Sequence, residues 1–305
     1  MRVIVARALQ DPKPKPALPD APRALPDFLI VGAMKCATSS LHAYLDLHPE
    51  IGMAVAKETD FFLTPETVAR GPDWYAAQFP SAAIRGEASP NYSKRDRYPG
   101  VPERIALTVP RAKLLYLVRD PVARSVSHYL HNVAFGFEHR PAEIALDPAR
   151  PNGYLQASRY AYQLAAFLDH FPRVRVRVLE ADDLKERQID TLRAVFGFLS
   201  ADPDFTSERF AERFHASESK TREKSWANWL RTRVPGLAPT VKAALPEALR
   251  RRLTHTGLPE VRLTERQSAD LRAFFADDQA ALAAQADLWL RPDPSELSKA
   301  RRATA

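Results

Sequence analysis

Three clusters of residues carry side chains able to hold anions or move protons. The first is Gly32-Ala33-Met34-Lys35-Cys36-Ala37-Thr38-Ser39-Ser40. It follows the apolar run Phe28-Leu29-Ile30-Val31 and precedes Leu41, Tyr44, Leu45 and Leu47, which recur at helical spacing until His48-Pro49. A strand that enters a helix through a tight loop points several backbone N–H groups at one spot. The helix dipole adds positive potential there. Lys35 contributes a full charge, and Thr38, Ser39 and Ser40 offer hydroxyl donors to anionic oxygens. The order of residues departs from the Walker A pattern, in which Lys directly precedes the metal-holding Ser or Thr. The loop suits an anionic nucleotide without that metal arrangement. Read alone, it also fits a plain helix start rich in Ser and Thr.

The second cluster is Arg119-Asp120-Pro121-Val122-Ala123-Arg124-Ser125-Val126-Ser127-His128-Tyr129, after the apolar run Leu114–Val118. Asp120 suits an N-cap and Pro121 the first helical position. Arg119 can pair bidentately with a phosphate, and Ser127 projects from the second turn as a donor. A surface Arg–Asp pair at a helix start accounts equally well for the same residues. The third cluster, Lys57-Glu58-Thr59-Asp60-Phe61-Phe62, brings carboxylates. A carboxylate within reach of an acceptor hydroxyl can take its proton. Taken alone, Glu58 reads as a solvated loop residue beside a core formed by Phe61 and Phe62.

These clusters need a rigid frame. Phe28–Val31 and Leu114–Val118 read as buried parallel strands. Val174-Arg175-Val176-Arg177-Val178-Leu179 alternates, which predicts a strand at a sheet edge. Helices are expected after Asp120, at about 157–170 and at about 185–199. Repeated strand–helix units predict an α/β fold with a mostly parallel sheet. From about 225 onward the chain reads as helical. Leu271, Phe274, Phe275 and Leu282 mark an amphipathic helix, and Leu288-Trp289-Leu290 a docking segment. Residues 1–26 form a proline-rich extended leader, so the folded part is expected to start near Asp27 and to run to 290. Residues 291–305 read as a flexible tail.

The 305 residues include 44 Lys and Arg against 37 Asp and Glu, a net charge of +7. With 45% apolar and 27% charged residues, the chain is neither wholly disordered nor fibrous. One cysteine, Cys36, excludes an internal disulfide and a cysteine-rich zinc cluster. Its place near a helix N-terminus is a setting that lowers a thiol pKa, yet it reads as packing. No apolar run reaches the length of a membrane span, and no secretory signal is read at the start. The cytoplasm is the expected compartment. Between Glu218 and Arg262 ten Lys and Arg face four Asp and Glu, a net of +6. Such a surface suits nucleic acid, an anionic membrane or an anionic small molecule. His128 and His131 stand three apart on a helix without an evident third ligand, and His42 follows the first loop; these read as surface or structural.

Lys35-Cys36-Ala37-Thr38-Ser39-Ser40-Leu41 resembles the 5′-phosphosulfate loop of sulfotransferases that use 3′-phosphoadenosine 5′-phosphosulfate (PAPS). The resemblance is to bacterial members and to the heparan sulfate branch, and it covers residues 27–290 apart from 225–262. Where this chain has Ala37 that branch often has Gly. Because Ala tolerates positive φ poorly, a negative φ is expected there. The resemblance implies a P-loop-like three-layer α/β fold, with a central mostly parallel sheet flanked by helices. It implies that Arg119 and Ser127 hold the 3′-phosphate. Lys35, Cys36, Ala37, Thr38, Ser39 and Ser40 would hold the 5′-phosphosulfate, and Lys35 would stabilise charge on the bridging oxygen. Ser219, Lys220, Thr221 and Arg222 match a Ser-Lys-Gly-Arg stretch that closes over the nucleotide, with Thr221 in place of Gly. Lys57-Glu58-x-x-Phe61-Phe62 matches the stretch whose Glu is the catalytic base, which implies that role for Glu58. Asp60 is an alternative base, and it would raise the pKa of Glu58 if both face the cleft. Gly86-Glu87-Ala88-Ser89-Pro90-Asn91-Tyr92 resembles a segment expected to line the acceptor cleft, and Ser158–Leu164 the following helix.

The activity implied is sulfuryl transfer from PAPS, leaving 3′-phosphoadenosine 5′-phosphate (PAP), to a hydroxyl or amine of a carbohydrate or glycolipid-type acceptor. No metal is required, and no nucleic-acid partner is expected; peripheral membrane contact through the basic segment is left open. Two rivals remain. A P-loop nucleotide kinase would need ATP and Mg²⁺ and fits the position of Lys35 poorly. An anion- or nucleic-acid-binding module would work through residues 218–262, which lack the aromatic interleaving of single-strand binders.

Overall fold

The computed structural model describes residues 25–150, 152–211, 221–223, 255–257 and 260–290. Five strands form one sheet: β1 (Phe28–Gly32), β2 (Ile51–Met53), β3 (Ile84–Ala88), β4 (Lys113–Val118) and β5 (Val176–Glu180). Their order is β2-β3-β1-β4-β5, and every pairing is parallel. The strands are joined and flanked by helices α1 (Thr38–Leu45), α2 (Val101–Thr108), α3 (Pro121–Ala134), α4 (Tyr160–Leu168), α5 (Gln188–Leu199) and α6 (Glu265–Ala283).

The apolar runs behave as a parallel sheet demands. Phe28 to Val31 and Leu114 to Leu117 are wholly buried, because helices cover both faces of the central strands. After β1 the chain crosses to one side of the sheet, and after β3 it crosses to the other. The strand order therefore reverses beside β1, and the carboxyl ends of β1 and β4 flank the switch point at which open α/β sheets hold their ligands. The first two residue clusters lie at those two ends.

The alternating strand sits at the edge, as its pattern predicts. Its outer side is covered by the docking segment, where the Leu290 amide donates to Val178 O at 2.9 Å. Covering the open strand removes a template for unwanted pairing. Other expectations shift in detail. The helix expected at 157–170 is α4, preceded by a separate turn at Gly153–Gln156. The helix expected at 185–199 is a turn at Asp183–Glu186 and then α5. Strands β2 and β3 were not legible. β2 has three residues, and β3 reads Ile-Arg-Gly-Glu-Ala, with a buried carboxylate inside it.

Most of the leader lies outside the described residues, although Leu25 already packs on the core. The 291–305 tail and most of 225–262 also lie outside them. Two short strands, β6 (Thr221–Glu223) and β7 (His255–Gly257), pair antiparallel, and the β6 backbone passes beside α3.

Candidate active site

Gly32 ends β1 in a space where no side chain fits: a Cβ there would lie 2.6 Å from the Tyr116 ring and 2.8 Å from Ser93 Cβ. The loop that follows turns sharply. Lys35 (φ 73) and Ala37 (φ 60) both adopt left-handed conformations. This overturns the negative φ expected at Ala37. The intrinsic preference of Ala yields to the turn that must join a central strand to α1 within five residues. The Cys36 amide closes this turn onto Ala33 O at 3.1 Å.

Helix α1 begins with no side-chain cap, because Ala37 occupies the N-cap position. Its first amides thus face outward without intrahelical acceptors. Lys35, Ser39 and Ser40 are half-buried around them, and Thr38 is buried. Amides of a tight turn, a helix N-terminus, a lysine and hydroxyls converge here, an arrangement whose chemistry suits an anion. The Cys36 side chain points the other way, into the core, 3.6 Å from Tyr160 OH. Burial pushes its thiol pKa up, which corrects the lowering expected near a helix N-terminus. The reading of Cys36 as packing fits this placement.

Arg119 leaves the end of β4 and donates from Nη1 to Lys35 O at 3.2 Å, tying the second cluster to the first. Asp120 caps α3 by accepting from the Ala123 amide at 2.6 Å, as its type predicts. Ser127 is half-buried on the second turn. The surface-pair alternative for Arg119 and Asp120 is not what forms: each has a different partner.

Sequence reasoning missed Arg124. It is almost wholly buried and donates to Met34 O at 2.9 Å, Tyr154 O at 3.0 Å and Ser158 Oγ at 3.2 Å. It thereby anchors the cradle loop to α3. The visible signal is its spacing, since Arg124, His128 and Tyr129 share the deepest face of the helix. Tyr129 is buried in a second cluster with Leu271 and Phe275, and Val122, Val126 and Leu130 pack against it partly buried. His128 is buried and its pKa is lowered to about 2, first by burial and then by Arg124 and Lys94. It stays neutral, in keeping with a structural reading. His42 is lowered to about 4, mainly by burial.

The carboxylate cluster lies against the end of β3. The Glu58 amide donates to Ala88 O at 3.1 Å, and Glu58 (φ 64) and Asp60 (φ 52) are both left-handed. The Glu58 side chain is exposed and pairs with the Lys57 ammonium. Asp60 is half-buried and accepts from Asn91 Nδ2 at 3.1 Å. Its pKa is pushed up to about 6, chiefly by burial; the Asn91 bond opposes this and the Glu58 charge adds to it.

Glu87 does not line a cleft, as the sequence suggests. It is fully buried, and its Oε1 accepts from Thr59 Oγ1 (2.5 Å), Ser89 Oγ (2.5 Å) and Tyr92 OH (2.8 Å). Tyr75 OH donates to Oε2. The first three hydroxyls in turn accept the amides of Phe61, Asp60 and Phe62 respectively. One buried carboxyl thus fixes the backbone of the carboxylate cluster. Phe61 and Phe62 are core residues, as expected.

Ser219 and Lys220 lie outside the described residues. For Thr221 and Arg222 the backbone alone is described, in β6 beside α3, the helix that carries Ser127.

An anion cradle at the carboxyl end of the central strand of a parallel sheet, with an arginine from the next strand tied to it, defines a P-loop-like α/β protein. The model of the sulfotransferase domain family matches residues 25–274, and the chain belongs to that family. A crystal structure of a sulfotransferase from Alicyclobacillus acidocaldarius is 26% identical, with a TM-score of 0.61 over 86% of this chain and 95% of that one. Heparan sulfate glucosamine 3-O-sulfotransferase 5 of Mus musculus is 32% identical over 200 residues, 61% of this chain and 56% of that protein. The bifunctional heparan sulfate N-deacetylase/N-sulfotransferase 1 of Caenorhabditis elegans is 25% identical over 64% of this chain. The match spans only 24% of that longer relative.

Proposed function

We propose that this protein transfers a sulfuryl group from PAPS to a hydroxyl, or an amine, of a carbohydrate or glycolipid-type acceptor. The observation that carries the reading is the uncapped start of α1, cradled by Lys35 and tied through Lys35 O to Arg119. The donor set fits PAPS: amides, hydroxyls and cations, with separate cationic and hydroxyl donors on β4 and α3 for a second phosphate. The names of the heparan sulfate relatives support a glycan acceptor.

Bound there, PAPS supplies an activated sulfuryl group on a good leaving group. Lys35 and the first amides of α1 would hold the 5′-phosphosulfate and offset charge that grows on the bridging oxygen. Arg119 and Ser127 would hold the 3′-phosphate, with Lys220 and Arg222 closing over the nucleotide. Glu58, exposed and held at the end of β3, would accept the acceptor's proton. Positioning and electrostatics would supply most of the acceleration.

The test is calorimetric titration with PAP, with ATP–Mg²⁺ as a control and Lys35→Ala beside the wild type. Micromolar PAP binding that weakens at least tenfold in the variant is expected, since a charge-assisted bond contributes about 1.5–3 kcal/mol. ATP–Mg²⁺ binding without PAP binding would overturn the reading in favour of a nucleotide kinase.

A further inference from the structure

Lys94 follows the turn Pro90–Ser93, just beyond β3. Its Nζ donates to Asn91 Oδ1 at 2.7 Å and lies 3.0 Å from Met34 Sδ in the cradle loop. A thioether is a weak acceptor, so this three-donor ammonium has one strong partner among the described residues. Asn91 donates in turn to Asp60, so a chain Asp60–Asn91–Lys94–Met34 spans from the carboxylates to the cradle. Lys94 also lines a cavity of about 350 Å³ with Arg97, His128 and Asn132.

The charges around Lys94 make its placement costly. Burial, then Arg124 and Arg97, lower its pKa to about 8, while Asp60 and Glu58 raise it. His128, also facing it, is neutral. A mostly buried cation beside other cations, with no described carboxylate in ion-pair contact, is stabilised by an anion brought to the loop.

The geometry points to Lys94 as a further catalytic residue, whose ammonium donates to the sulfuryl oxygens as the group passes from donor to acceptor. This rests on the sulfotransferase reading above. In that step the acceptor oxygen or nitrogen bonds to sulfur. The bond from sulfur to the donor's phosphate oxygen breaks, and its electron pair leaves on PAP. The acceptor's proton goes to the Glu58 carboxylate. Lys94 gains and loses no bond; it offsets charge on the oxygens in flight.

PAPS carries the sulfuryl group and PAP lacks it, so the two ligands isolate this contact. Wild type, Lys94→Met and Lys94→Arg are titrated with each, and their thermal unfolding is compared. The expected result is PAP affinity within about threefold in Lys94→Met but PAPS affinity at least tenfold weaker, as loss of a charge-assisted bond implies. The PAPS preference of the wild type should also fall as pH rises above about 8, where the ammonium is lost. Lys94→Arg, charged throughout, should keep its preference at high pH. Equal weakening of PAP and PAPS in Lys94→Met, or no weakening of either, overturns the role of Lys94 alone. A wild type that binds neither ligand overturns the sulfotransferase reading itself.

Discussion

Replacing Glu87 tests whether one buried carboxyl holds the carboxylate cluster in place. Its Oε1 collects the protons of Thr59, Ser89 and Tyr92, whose oxygens are already accepting the amides of Phe61, Asp60 and Phe62. Those hydroxyls cannot turn their protons elsewhere without disturbing the bonds to the amides. Glu87→Leu removes the shared acceptor, and at roughly 1–3 kcal/mol per orphaned buried group the loss is at least about 3 kcal/mol. For a domain of this size that is a fall in Tm of roughly 6–12 °C. Glu87→Gln keeps an oxygen for the three hydroxyls and presents an N–H₂ to Tyr75, whose oxygen can accept it. It imitates the protonated acid and is expected to cost less than about 1 kcal/mol, because hydrogen bonding is conserved. Burial raises the Glu87 pKa despite its four hydroxyl partners. An unfolded Glu loses its proton near pH 4.3, about where the folded protein still holds it. Wild-type stability therefore falls as pH rises from there through the higher folded pKa, and Glu87→Gln lacks that contribution. Urea unfolding of the three proteins at several pH values measures all of this. Equal losses in the Leu and Gln variants, or less than about 1 kcal/mol in Leu, would refute the shared-acceptor argument.

Further outcomes follow from the loop and the carboxylates. Ala37→Gly relieves a left-handed Ala, a conformation costing about 1–2 kcal/mol, against about 0.4–1 kcal/mol of added chain entropy. It should raise stability by about 0.5–1 kcal/mol in urea unfolding, with PAP affinity little changed. Glu58→Gln should lower kcat by about 10²–10⁴-fold while PAP binding persists, as loss of a general base implies. Asp60 ionises at about 6, so wild-type activity should fall as pH drops through that value. Asp60→Asn, neutral at every pH, should lose this acid limb and show the wild type's reduced low-pH activity throughout. Collapse of Asp60→Asn, with Glu58→Gln still active, would move the base to Asp60.

The parts of this protein legible in the sequence were those where one local signal dominates. The buried runs at 28–31 and 114–118, the Asp120-Pro121 helix start and the alternating edge strand each announce themselves through period or capping chemistry. The cradle and its tie to Arg119 lie where strand and helix meet, and that junction was readable. What was not legible depends on distant partners. Arg124 looks like a solvent-facing arginine until the carbonyls of Met34 and Tyr154 are placed beside it. Glu87 breaks the apolar pattern of β3 and so hides the strand, because four hydroxyls from three other segments make its burial tolerable.

Ala37 shows the same limit from the other side. Its identity argues for negative φ, and nothing nearby in sequence argues otherwise. The sheet decides the matter. β1 is fixed between β3 and β4, the Ala33 amide bonds to Leu117 O at 2.8 Å, and Arg124 and Arg119 pull on the carbonyls of Met34 and Lys35. With both sides of the loop held, the short path to α1 leaves Lys35 and Ala37 left-handed. The strain at Ala37 is therefore borne by the surrounding hydrogen bonds, and it leaves the first amides of α1 turned outward. A loop that bound nothing could relax this conformation. Under the function proposed for it, the loop holds this conformation in advance of the anion, so that binding costs little reorganisation.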